Sequence, residues 1–397
     1  AGDTVALFMG NRWEYIAIWY GLSKVGVITA LLNSQVTGKA LAHGLDISGA
    51  RHAIIEGELA SVYPHARAEM ETDFTAWISD GAQGAVEGGQ DFDAALDTIS
   101  DARPSREHRA HLRAKDACLK MYTSGTTGLP KAAIVAHTRS LYYLQVFATL
   151  VRAGPKDRMM MVLPLYHATG GLCGVGCALA FGGALIVRRK FSASRFWDDC
   201  VEHGATLFMY VGELCRFLVA ADPHPLEKKH KIRAAIGNGL RPDVWPRFVD
   251  RTGIPRILEF YGATEGNVGL VNLDSKPGAI GRIPPYLSHR FNVKLVRFDM
   301  DEEVPVRDAD GRCIEVGPDE VGEAIGEIQA DDARHRFDGY QDEEATKKKI
   351  LTDVFEEGDV WFRSGDLMKR DKLGYYYFID RVGDTFRWKS ENVSTSE

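Results

Sequence analysis

The chain is poor in the features that mark metal, redox or secreted chemistry. Its six cysteines, Cys118, Cys173, Cys177, Cys200, Cys215 and Cys313, form no Cys-x-x-Cys pair and no zinc spacing. They read as reduced thiols of a cytosolic compartment, acting as small hydrophobes. Positive charge is not in excess: 48 Lys and Arg stand against 55 Asp and Glu, a net charge of −7. That balance argues against a nucleic-acid partner, whose binding rests on Lys and Arg. No Ser/His/Asp or Cys/His constellation suggests a protein nucleophile, and no internal repeat is visible.

Long hydrophobic runs are scarce as well. Gly170 to Val187 is eighteen residues without a charge, but six of them are Gly. A span of that length only reaches the lower limit for crossing a bilayer. A buried helix over Leu172–Phe181, a Gly182-Gly183 turn and a strand over Ala184–Val187 fit it better. The chain starts at Ala1 without Met and stops at Glu397 without a tail. It reads as a fragment, so a missing signal or anchor proves nothing.

What is present is ordinary in bulk and specific in detail. A chain of 397 residues, 45% apolar and 26% charged, suggests two or more structural units of a globular protein. Helix and strand signals alternate over the first 270 or so residues, as in an α/β fold with largely parallel sheets. Asn11 with Glu14 three residues on predicts a capping box, followed by a helix that Gly26 ends and a strand over Val27–Leu32. Ala53–Ile55 and Leu207–Val211 read as buried strands. Phe196–His203 and Val244–Thr252 read as helices, each closed by a Gly one residue later. Residues 81–116 are Gly-rich and then mixed in charge, as in a surface excursion or a loosely ordered insert. From about 274, short alternating runs such as Phe291–Phe298, Glu323–Gln329 and Tyr375–Ile379 favour antiparallel strands in a small barrel or separate sheet.

The chemistry concentrates in a few clusters. Thr123-Ser124-Gly125-Thr126-Thr127-Gly128-Leu-Pro-Lys131 crowds hydroxyls, glycines and one lysine into an anion cradle. Hydroxyl and backbone donors suit phosphate oxygens, glycines let the backbone approach, and Lys131 supplies a point charge. The spacing is not that of a Walker A loop, and the bland alternative is a Gly/Thr surface turn. Glu259-Phe-Tyr261-Gly262-Ala-Thr264-Glu265 follows an apolar strand, and such a strand end opens onto the ligand crevice of an open α/β sheet. Tyr261 can stack on a purine, Thr264 can donate to a phosphate and Glu265 can hold Mg²⁺. By itself the segment is equally an ordinary strand and loop. Phe362-Arg-Ser-Gly-Asp366 offers a carboxylate acceptor for ribose hydroxyls, and Asp380-Arg381 an arginine for ribose or phosphate; either alone is weak. His167, after Leu163-Pro-Leu-Tyr, can polarise a carboxylate or be a satisfied core histidine. Gly237-Asn238-Gly239 ends a strand in a way that lets a flat ring or thin acyl chain lie against backbone.

Taken together, Thr123–Lys131, Tyr261–Glu265, Phe362–Asp366 and Asp380-Arg381 resemble the adenylate-forming, or AMP-binding, enzymes in order and approximate spacing. The likeness spans essentially the whole chain. Within that superfamily, Ile236–Trp245, Val360–Asp366, Gly374–Phe378, Asp380–Lys389 and Glu391–Thr395 resemble the fatty acid transport protein, or very-long-chain acyl-CoA synthetase, branch. The resemblance implies an adenylate-forming N-terminal domain: two helix-flanked, mostly parallel sheets (1–273) and a small antiparallel β-barrel subdomain (274–380). A hinge over 381–385, centred on Gly383, and the start of a C-terminal domain (386–397) would follow. It also implies ATP, Mg²⁺ and coenzyme A: a fatty carboxylate attacks the α-phosphorus of ATP, and the thiol of coenzyme A then displaces AMP. Lys131, Thr264, Glu265 and His167 take the catalytic roles in this reading, with Glu265 on Mg²⁺. Thr123 to Gly128, Gly237, Asn238, Gly239, Tyr261, Gly262, Asp366 and Arg381 bind the nucleotide.

Two departures stand out. The C-terminal lysine that the family brings to adenylation lies beyond Glu397, so the chain alone is expected to be nearly inactive. Ser390 stands where relatives usually carry Gly after Trp-Lys. The resemblance further implies membrane association of the parent protein through an N-terminal segment, at the endoplasmic reticulum, plasma membrane or peroxisome, and allows a homodimer. A ligase for another carboxylate, such as a bile acid, and a fatty acid transporter with a vestigial ligase site are the alternative readings.

Overall fold

The computed structural model describes residues 2–81, 86–123, 130–264, 266–329, 332, 335–382, 385–388 and 391–394, the last two stretches as backbone. The chain divides into two compact units, residues 1–191 with 338–343, and residues 192–337 with 344–397.

Continuous apolar runs build the first unit. Ala6, Leu7 and Phe8 of strand β1 (Thr4–Phe8) are all buried, as are Ala53, Ile54 and Ile55 of β3 (His52–Glu56). Burial on both faces is what a helix-covered parallel sheet requires. Between and around them lie α1 (Trp13–Lys24), β2 (Ile28–Leu31), α2 (Gly38–Asp46), α3 (Tyr63–Arg67), β4 (Thr75–Ser79), β5 (Gln90–Asp91), α4 (Phe92–Asp97), β6 (Ala117–Thr123) and β7 (Lys131–Ala136). The sheet runs β5-β4-β3-β1-β2-β6-β7. Every pairing is parallel except the last, where β6 and β7 form an antiparallel hairpin. Phe8, Leu41, Leu45, Ile55, Tyr63 and Ile78 share one core. Helix α5 (His137–Leu150) follows, then β8 (Arg158–Met161), α6 (Val175–Leu179) and β9 (Ala184–Val187), with β8 and β9 parallel.

Two details of this unit differ from what the sequence predicts. No capping box forms at Asn11. Helix α1 starts at Trp13, and Arg12 caps it without a side-chain bond. The Asn11 amide donates instead to the carbonyls of Leu163 (2.7 Å) and Arg188 (3.2 Å), and its oxygen accepts from Leu165 N (2.9 Å). Nor is Leu172–Phe181 a single α-helix: Thr169–Gly174 winds as a π-helix that passes into α6. Two of its glycines abut backbone, since a Cβ on Gly170 would stand 2.3 Å from Pro164 O and one on Gly171 2.1 Å from Leu165 O, while one on Gly174 would meet the Met161 side chain. The Gly content of this stretch therefore serves close packing, and among the described residues no helix is long and apolar enough to cross a membrane. The described residues of segment 81–116 keep largely to the surface, as the sequence predicts, and carry an edge strand, β5, and the short helix α4, which Asp91 caps by accepting from Ala94 N.

The second unit begins with α7 (Phe196–Glu202), β10 (Leu207–Val211), α8 (Gly212–Ala220), β11 (Ala234–Asn238), α9 (Val244–Thr252), β12 (Ile257–Gly262) and β13 (Gly269–Asn272). Strands β10, β11 and β12 are parallel neighbours, and β13 adds antiparallel to β12. Helix α9 ends where Gly253 turns left-handed at φ 71°, as the sequence predicts.

Beyond β13 the texture becomes antiparallel. It comprises β14 (Gly281–Arg282), β15 (Val293–Val296), the small pair β16 (Phe298–Asp299) and β17 (Val304–Pro305), β18 (Val321–Glu327), the short helix α10 (Glu343–Lys347), β19 (Ile350–Thr352), β20 (Val360–Arg370) and β21 (Tyr375–Arg381). The sheet runs β14-β21-β20-β18-β15, with β19 alongside β20. Val268, Leu270, Leu295, Phe362, Met368 and Tyr376 form its core, against which Tyr261 of β12 packs. Two last strands, β22 (Thr385–Trp388) and β23 (Glu391–Ser394), pair with each other.

Candidate nucleotide site

In the second unit, the carboxyl ends of β11 and β12 carry the residues that the sequence singles out. Gly237 and Asn238 close β11, and Gly239 turns left-handed at φ 77°. That turn fits tightly over the start of α8, for a Cβ on Gly212 would lie 1.7 Å from Gly239 O. Tyr261 and Gly262 close β12, with Thr264 half-buried just beyond. Tyr261 reaches the antiparallel sheet, where its hydroxyl donates to Asp366 Oδ2. Asp366 is 2% exposed. Opposite it in register across β20 and β21 stands Arg381, whose Nε donates to Asp366 Oδ1 at 2.9 Å.

Tyr261, Asp366 and Arg381 thus converge although they are 105 and 15 residues apart along the chain. Burial, with the adjacent Asp366 carboxylate next in weight, pushes the Tyr261 phenol well above its ordinary range, so it acts as a donor. A carboxylate braced by a phenol and a guanidinium keeps acceptor capacity for a ligand hydroxyl. Backbone geometry supports it: Asp366 N donates to Ser364 Oγ at 3.1 Å, and Val382 N to Gly365 O at 2.8 Å where Gly365 has φ 77°.

A carboxyl group to which the sequence assigns no role lies beneath the Gly239 turn. Glu259, 2% exposed, accepts at Oε1 from Leu240 N (3.0 Å), and its Oε2 lies 2.5 Å from the Tyr210 hydroxyl. The only signal in the sequence is a glutamate inside an otherwise apolar strand.

Thr123, Lys131 and His167 belong to the first unit. Thr123 ends β6 and faces Lys131, the first residue of β7, across the hairpin. The Lys131 ammonium lies 5.9 Å from the Tyr340 ring centroid. Tyr340 is held by its bridge to Ala133, next to a hydrogen bond from Gln341 N to Ala132 O at 3.1 Å. Ser124, Gly125, Thr126, Thr127, Gly128, Glu265, Gly383 and Ser390 lie outside the described residues. His167 is exposed, its N–H bonded to Pro164 O (3.3 Å) and its ring 4.5 Å from that of Tyr166. Although the residue reaches solvent, protein packed around the ring lowers its imidazole pKa, which favours the neutral form, able to donate or accept one hydrogen bond.

Fold and residues together define a class. The AMP-binding enzyme family matches residues 1–324, and the chain belongs to that family. It is similar to long-chain fatty acid transport protein 1 of Mus musculus, 42% identical over the whole chain and 61% of that protein. With long-chain fatty acid transport protein 3 of Homo sapiens it shares 39% identity over the whole chain and 58% of the relative. The chain therefore spans about three fifths of the length of these relatives. Among solved structures, ATP-bound MatB from Rhodopseudomonas palustris shares the fold with a TM-score of 0.76 at 23% identity, over 99% of this chain and 71% of that one. The N-terminal domain of FACL13 from Mycobacterium tuberculosis does so with a TM-score of 0.71 at 23% identity, over 96% and 86%.

Proposed function

We propose that this chain is the nucleotide-binding part of a ligase that activates long- or very-long-chain fatty acids with ATP, through an acyl-adenylate to acyl-CoA, and so couples activation to fatty acid uptake. The observation that carries the reading is the Tyr261–Asp366–Arg381 group at the end of β12, in a chain of the AMP-binding family whose relatives are named fatty acid transport proteins. In this reading Asp366 accepts from the ribose hydroxyls. The Gly237–Gly239 turn and Tyr261 border the base, with Gly262 letting backbone approach. Arg381 serves ribose or phosphate.

Thr123 to Gly128 and Lys131 take the phosphates, Thr264 donates to one of them, and Glu265 provides the hard oxygen ligand that Mg²⁺ prefers. Two anions must meet when carboxylate approaches phosphate, so these donors act by offsetting charge. His167 orients the carboxylate. Residues 381–385 are the hinge, and 386–397 begin a further domain that supplies the rest of the site. Fatty acid is the substrate and coenzyme A the second acceptor.

Titration of Mg²⁺-ATP into the chain tests the nucleotide part, and fatty-acid-dependent pyrophosphate release by the full-length parent tests the ligase part. Binding lost on Asp366→Ala supports the reading. A wild-type chain without measurable ATP affinity sinks it.

A further inference from the structure

Three parallel strands place Tyr210, Gly237 and Glu259 in one row, Tyr210 opposite Gly237 and Gly237 opposite Glu259. A Cβ on Gly237 would lie 2.5 Å from the Tyr210 ring and 2.1 Å from its carbonyl. The missing side chain thus opens a slot through which the Tyr210 ring reaches across β11. Its hydroxyl ends 2.9 Å from Leu258 O and 2.5 Å from Glu259 Oε2.

A phenol has a single proton to give, and one shared between two acceptors serves each only weakly. If it goes to Leu258, the phenol oxygen becomes an acceptor, and only a protonated Glu259 can fill it. The chain of donors is then complete: Glu259 to Tyr210, Tyr210 to Leu258, and the backbone N–H groups of Leu240 and Gly239 to Glu259. An ionised Glu259 would draw the phenol proton away from Leu258 O and leave a buried charge that no cation among the described residues pairs with. We propose that Glu259 is a neutral carboxylic acid that, with Tyr210, latches the Gly237–Leu240 turn, and that this latch positions the turn for the nucleotide. The second clause rests on the function proposed above; the first does not.

Among the described residues, the titratable groups that face Glu259 are Tyr210 from β10 and Cys215 from α8, both pushed up by burial and so neutral. From β13, Asn272 stands opposite in register and carries no charge. Burial raises the Glu259 carboxyl to about 8, against the lowering pull of its hydrogen bonds. Near neutral pH the latch is closed, and it ionises as pH rises through that value. Gln reproduces the neutral acid, with an NH₂ for Tyr210 and an oxygen for Leu240. Leu reproduces neither.

Difference infrared spectra of wild type against Glu259→Gln decide the protonation state. A protonated carboxyl band present at about pH 7 and titrating away near pH 8 to 9 is expected; its absence at pH 7 overturns the proposal. Hydrogen exchange at the Leu240 amide tests the latch without any ligand. Protection is expected to be kept in Glu259→Gln and to fall roughly tenfold or more in Glu259→Leu, and unchanged protection in the Leu variant overturns it. Should the Leu variant not fold, the infrared comparison still decides. ATP affinity of the wild type is expected to weaken several-fold above about pH 8 while that of Glu259→Gln stays level. Parallel pH profiles would refute the positioning role. If the wild type binds no ATP although band and protection behave as expected, the nucleotide reading falls and the latch stands.

Discussion

Asp366 and Arg381 face each other in register across two antiparallel strands, and a 2.9 Å bond from Arg381 Nε joins their side chains. The carboxylate is buried while the guanidinium is more than half exposed. Replacing Asp366 with Ala therefore strips Tyr261 of its acceptor but leaves Arg381 able to turn to water. The expected cost in stability is roughly 1–3 kcal/mol, that of orphaning a buried donor. ATP affinity should fall at least about tenfold, and Asp366→Asn should recover only part of it. Calorimetric titration and urea unfolding measure the two effects; intact affinity in the Ala variant would remove Asp366 from the site.

Tyr261→Phe is a milder probe. It keeps the ring and deletes only the hydroxyl that donates to Asp366. One lost hydrogen bond to a charged acceptor predicts a drop of about 1.5–3 kcal/mol, read either as weaker ATP binding or as lower stability. If stability alone changes, Tyr261 holds the fold and does not touch the ligand.

Gly237 has no room for a side chain, since Tyr210 fills the space over it. Gly237→Ala must push that ring aside, an overpacking cost of about 1–3 kcal/mol or more, and it breaks the reach to Glu259. Denaturant unfolding should show the loss, while Gly262→Ala, where the nearest atom to an added Cβ is 3.8 Å away, should leave stability almost unchanged. Equal effects at the two positions would contradict the packing account.

Stability should also depend on pH through Glu259. Its folded pKa of about 8 lies above the unfolded value of about 4.3. The folded chain then holds more protons than the unfolded chain between those limits. Relative to Glu259→Gln, wild-type stability is full below about pH 4 and declines by at most about 1.4 kcal/mol per pH unit up to about 8, levelling above. Thermal unfolding of the pair across that range checks the sign. A difference that grows in favour of the wild type as pH rises would mean that Glu259 is ionised in the fold.

Much of this was legible in the residues themselves. Leu207–Val211 and Val244–Thr252 coincide with a strand and a helix, because local pattern and the Gly253 cap agree with the packing. The joint order of the hydroxyl loop, Tyr261–Glu265, Phe362–Asp366 and Asp380-Arg381 pointed to the family that residues 1–324 match. Asn11 misleads because its amide serves carbonyls 152 and 177 residues away, which no local window sees. The π-helix at Thr169–Gly174 was illegible for the same reason: two of its glycines answer to the backbone of Leu163 to Leu165. Glu259 carries only a faint local mark, a glutamate in an apolar strand. Its neighbour Gly237 and partner Tyr210 become relevant only once three strands are set in register.

The most direct test is fatty-acid-dependent release of pyrophosphate from ATP by the full-length parent, with Lys131→Ala as control and the 397-residue chain assayed alongside. Release that requires a long- or very-long-chain acid, falls roughly 10²–10³-fold in Lys131→Ala and is nearly absent from the shorter chain is the predicted result. No acid-dependent release from the parent, or release that Lys131→Ala leaves intact, would contradict it.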